Sequence, residues 1–175
     1  MSKLVFLLLS QFLLILLELA SGNCGWTLPW ALLGALYITL AFGRNWGIAA
    51  ALLTGMILSA LYGGSWNLLK IITYPLLTAI VNWWIGQHQE NINIRFWQPG
   101  AWAAAAAAFP ALAGALFRWS ESGIYPAGLH YLLLKILWTA AVSSPLFIVI
   151  VFFGEAAAEF LGLPRFLTRK GGERR

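Results

Sequence analysis

The polar side chains that could do chemistry in this 175-residue chain stand inside long apolar runs, and each set falls at helical spacing. Asn67, Lys70, Tyr74, Thr78 and Asn82 recur at steps of three and four, so a helix would gather them on one face. Lys135, Thr139 and Ser143 recur at steps of four, and Gln11 and Glu18, seven apart, share a face of the first run. Polar atoms in hydrocarbon need partners, so these faces should point into the protein or toward another chain. Lys70 stands near the start of its run, where it either snorkels to the interface or points with the rest of its face into the protein or another chain. Lys135 lies deeper and reaches water less easily; Glu121, Glu18 or the oxygens of a polar cavity are its candidate partners.

Other chemistries lack their groups. A carboxylate that couples transport to an ion is expected deep in a span, whereas Glu18 sits near the exit of its run. His88 and His130 are far apart, and no His-Glu-x-x-His helix occurs. The single Cys24 makes neither an intramolecular disulfide nor a zinc cluster. Ser120 and Ser122 have no arranged base. The reading is therefore of a non-enzyme without metal or cofactor.

The elements that position these residues follow from composition. Apolar residues make up 61% of the chain and charged ones 10%, with mean hydropathy +0.78; a soluble domain carries about 25% charge. Apolar runs at Leu4–Ala20, Trp26–Phe42, Trp46–Tyr62, Trp66–Ile85, Ala101–Phe117 and Leu129–Phe153 are separated by breaker-rich turns such as Gly43-Arg44-Asn45 and Gly63-Gly64. Each crossing needs roughly 20 residues. The prediction is an all-α integral membrane protein of about six transmembrane helices in a compact bundle over residues 1–154, with a basic cytoplasmic tail over 155–175. The first run is read as a retained helix rather than a cleaved signal.

Eleven Lys or Arg against six acidic residues would suggest nucleic acid in a soluble protein. Here they flank membrane spans, and no nucleic-acid partner is expected. Lys3, Arg44, Arg95, Arg165, Arg169, Lys170, Arg174 and Arg175 fall on one side of six crossings and Arg118 on the other, which places both termini in the cytoplasm. The tail either lies on an anionic membrane surface or is disordered. In the fifth run, Phe109-Pro110 breaks an alanine-rich stretch, as a kink or as part of a substrate site.

The third run carries Gly47, Ala51, Gly55, Ser59 and Gly63 at a strict interval of four, a stripe that lets another backbone approach closely. The segment from Phe42 through Gly-Arg-Asn-Trp-Gly to Gly64 resembles the rod shape-determining MreD family of bacterial inner-membrane proteins. Gly55 and Gly63 match the family's glycines, and Ser59 stands where its members commonly carry aspartate. The resemblance implies a non-enzymatic scaffold of cell-wall elongation and cell shape, associated with an MreC-like periplasmic protein and the peptidoglycan synthases. The outline is also similar to substrate-binding membrane subunits of energy-coupling-factor transporters. That alternative implies a small molecule held by Lys70, Asn82, Lys135 and rings such as Trp119 or Trp138.

Overall fold

The computed structural model describes residues 2–24, 28–62, 65–88, 120 and 129–163. Its elements are α1 (Ser2–Asn23), α2 (Trp30–Phe42), α3 (Arg44–Tyr62), α4 (Ser65–His88) and α5 (Leu129–Phe160). The sequence of α2, WALLGALYITLAF, is apolar on every side, and a helix with no polar face must be surrounded. It is: eleven of its thirteen residues are buried, and it touches α1, α3, α4 and α5.

Six crossings were expected, and this is corrected. Among the described residues three segments are long and apolar enough to cross a membrane: Lys3–Asn23, Arg44–Tyr62 and Leu137–Phe160. The second predicted span forms helix only from Trp30, after Pro29, and its 13 residues measure about 20 Å against a hydrocarbon core of about 30 Å. Its apolar character serves burial in protein, not contact with lipid, and an apolar run reads alike in both cases. The fourth run forms α4, where Lys70, Thr73, Tyr74, Thr78 and Asn82 interrupt the apolar residues and Pro75 lies within the helix. The fifth run, Ala101–Phe117, lies outside the described residues, as do Gly63, Glu121 and residues 164–175.

The helices α1 to α4 alternate in direction. At one end Lys3 lies against Phe42 and Trp46; at the other, Glu18 meets Ala31, Lys70 and Tyr74. A single residue, Gly43, links α2 to α3. Its φ of 99° lies in the region glycine enters without strain, and its N–H donates to Thr39 O at 3.0 Å.

Glycine stands at several tight contacts among the described helices. A side chain on Gly34 would overlap Leu14 of α1, one on Gly47 would overlap Thr39 of α2, and one on Gly154 would enter the Tyr37 ring. Gly55 is the tightest of these against main chain: a Cβ there would lie 2.7 Å from Lys70 O and 2.9 Å from Ile71 Cα. Ala51 and Ser59 of the same stripe are buried as well. Lipid tails are as apolar as Leu, so such close approach, not hydrophobicity, holds membrane helices together.

α5 continues past Phe153 through Glu155, which was expected to open the tail, and ends at Phe160. Gly162, at φ 63°, closes it: Leu163 N–H donates to Ala158 O at 2.8 Å and Gly162 N–H to Glu159 O at 3.1 Å. These are the two bonds of a Schellman cap, and Leu163 packs on the core beyond it.

Replacing Gly55 by Leu must push main chain from main chain, so the loss of stability should exceed about 3 kcal/mol, the upper end for ordinary overpacking. The check is the folded, monodisperse fraction in mild detergent as temperature rises. Met56→Leu, at an exposed neighbour, should leave that curve unchanged.

Candidate functional site: a buried charge cluster at the start of α2

The first turn of any helix leaves N–H groups without acceptors. At the start of α2 the flanking residue is Pro29, which makes no side-chain cap. The acceptor comes from α1: Glu18 Oε2 receives the Ala31 N–H at 3.1 Å. Two turns back along α1, Gln11 Nε2 donates to Ala31 O at 2.7 Å and to Thr54 Oγ1 of α3 at 2.6 Å. A single residue of α2 is thus held at both its backbone groups by the Gln11 and Glu18 face of α1. A carboxylate at a helix N-terminus also meets the favourable end of the helix dipole.

The charge of Glu18 is balanced from α4. Tyr74 Oη donates to Glu18 Oε1 at 3.2 Å, and Lys70 Nζ stands 3.7 Å from the same oxygen. The ammonium also lies 4.8 Å from the centre of the Tyr62 ring at the end of α3, within cation–π range. The Lys70 side chain is 22% exposed and that of Glu18 8%, so the pair sits at the edge of the bundle with its cation outermost. Four helices meet here, and each acidic or basic group is answered by another. Chemically this is a tie: both carboxylate oxygens are met by donors, Oε2 by the Ala31 N–H and Oε1 by Tyr74 and Lys70.

A second tie joins α2 to α5, where Tyr37 Oη donates to Glu155 Oε1 at 3.2 Å above Gly154. Thr78, fully buried, returns its hydroxyl to Tyr74 O at 2.8 Å. On α5, Thr139 and Ser143 are buried. The hydroxyls of Ser143 and Thr73 have no partner among the described residues. Asn82 is partly buried. Asn67 lies in α4 and Lys135 in α5, but their side chains are outside the described set, so neither is placed in the cluster. Among the described residues no three His, Cys, Asp or Glu come together as a metal site, and Cys24 is exposed.

Of the candidates read from spacing, Lys70, Tyr74 and Thr78 come together on α4. The Glu18–Lys70 pair was missed, although its signal was present: Glu18 is near the end of an ascending run and Lys70 near the start of a descending one, so both lie at one depth. Glu155 was missed because it follows a long apolar stretch and reads as the start of a polar tail.

The fold defines a multi-helical, membrane-associated protein whose exposed apolar helix faces suit contact with lipid. No family model, no curated protein and no solved structure matches the chain.

Removing one partner of a fully buried ion pair costs about 3–5 kcal/mol. Polar contacts in membranes measure less, because the unfolded helices also find partners. Glu18→Gln and Lys70→Met are therefore each expected to destabilise by about 1–3 kcal/mol, while the double variant loses less than the sum. Unfolding in detergent by all four proteins of this cycle gives the coupling; strict additivity would show that the pair is not a tie.

Proposed function

We propose that this chain is a non-enzymatic scaffold of the bacterial cell-wall elongation complex in the inner membrane, binding an MreC-like shape protein and through it the peptidoglycan synthases. The supporting observation is how its buried polar groups are used. Glu18, Lys70 and Tyr74 close on one another, and Gln11 and Glu18 hold the backbone of Ala31, which ties α1, α2 and α4 together and leaves their outer faces for other contacts. The glycine spacing around Gly55, shared with the MreD family, supports the particular assignment. On α1, Leu9, Phe12 and Leu13 face outward, and on α5 Leu134, Leu137 and Phe152 do so; these are surfaces for lipid or for the single-span helix of a partner.

The second reading, a substrate-binding subunit of a small-molecule transporter, draws on the buried hydroxyls of Ser143 and Thr73, which have no partner among the described residues. A bound polar ligand would supply one.

Affinity purification of the tagged chain from its native membrane in mild detergent, with mass spectrometry of what is retained, separates the two. The expected outcome is a single-span coiled-coil periplasmic protein together with wall synthases. Recovery of paired ATPases with their membrane coupling subunit would overturn the scaffold reading in favour of the transporter.

A further inference from the structure

The two ends of the α1 to α4 bundle differ in how they handle positive charge. At the end carrying Glu18, Lys70 is matched by a carboxylate. At the opposite end Lys3 and Arg44 stand at the first residues of two membrane-spanning segments, Lys3–Asn23 and Arg44–Tyr62. Neither has a carboxylate within ion-pair distance among the described residues. Both cations therefore stand at the ends of their spans with no ion pair to a carboxylate among the described residues.

Aromatic rings set the position of Lys3. Its Nζ lies 5.2 Å from the centre of the Phe42 ring and 4.8 Å from that of Trp46, so the ammonium is held by ring faces. Such faces attract the cation without neutralising it. Trp46 is 39% exposed and sits in the first turn of its span, the depth at which Trp rings lie among lipid headgroups. Arg44 is exposed two residues earlier, just after Gly43, around which a Cβ would meet nothing within 4 Å. The ammonium of Lys3 is thus held on the Trp46 ring, and Arg44, exposed, stands two residues before Trp46 in the same first turn of α3. Guanidinium suits phosphate oxygens in paired geometry, and ammonium adds a point charge.

We propose that Lys3, Arg44 and Trp46 form a binding site for the phosphate of an anionic phospholipid headgroup. Lys3 and Arg44 neutralise the phosphate, and Phe42 and Trp46 hold the ammonium at headgroup depth. The site requires only that the helices lie in a bilayer, and it stands whether the protein is a scaffold or a transporter subunit.

The test is native mass spectrometry of the full chain, delipidated in detergent and titrated with phosphatidylglycerol or phosphatidylcholine. Phosphatidylglycerol should be retained more strongly. The Lys3→Gln/Arg44→Gln variant should lose that preference by roughly twenty-five-fold, taking about five-fold per basic residue. Neutralising Arg165, Arg169, Lys170, Arg174 and Arg175 together should leave it. Equal retention of the two lipids by the wild type would overturn the proposal. So would an unchanged preference in the double variant, or its loss in the tail variant alone. Displacement of the lipid by excess inorganic phosphate would overturn the assignment to a lipid and give a free-anion site. Circular dichroism reports whether the double variant folds; if it does not, Arg44→Gln, at an exposed side chain, decides by the same ratio.

Discussion

A helix whose first turn is buried has no water for its leading N–H groups, and α2 is such a helix: Leu28, Pro29 and Ala31 are all buried. Its 13 residues fall short of the hydrocarbon thickness, and Pro29 offers no cap. The acceptor must therefore come from another helix, and α1 brings Glu18 to Ala31. A carboxylate in that place needs its own partners, which ties α4 into position through Lys70 and Tyr74. The register of α4 then brings Lys70 and Ile71 onto Gly55, and only the absence of a side chain there lets α3 and α4 approach so closely. Each of these contacts presupposes the one before it, back to the unmet backbone donor.

Two kinds of contact thus share the work of holding the bundle. Glycines allow backbones to come together, which gains dispersion energy at many atoms but fixes depth only loosely. The polar ties join named atoms across helices, Gln11 to Ala31 and Thr54, Glu18 to Lys70 and Tyr74, Tyr37 to Glu155, and a slip of one residue along either helix would break them. Hydrophobicity puts the chain in the membrane without choosing among arrangements.

That division explains what could be read in advance. The α3 stripe and the α4 polar face were visible because they repeat at helical steps within one element. Even so, Pro75 passed unnoticed inside α4, which remains helical through it. The number of crossings was not legible, since α2 is as apolar as a span and only its length after Pro29 and its burial on every side distinguish it. Pairing across helices was only half legible. Glu18 and Lys70 stand at matching depths in the sequence, but which of Lys70 and Lys135 would meet Glu18 depends on which helices are neighbours, a property of the assembled bundle. Glu155 was hidden for a related reason: its partner Tyr37 lies 118 residues away and belongs to the buried helix.

The shortness of α2 also bears on how the protein is made. A segment that neither spans the bilayer nor carries its own cap has no resting state as an independent inserted helix, because its leading N–H groups would face hydrocarbon. Joined to α3 by one residue, α2 enters the membrane as one arm of a hairpin and gains its acceptor only when α1 lies beside it. Insertion of α2 and its packing on α1 are therefore coupled, and chain order favours this, because the helix that carries the acceptor precedes the one that needs it.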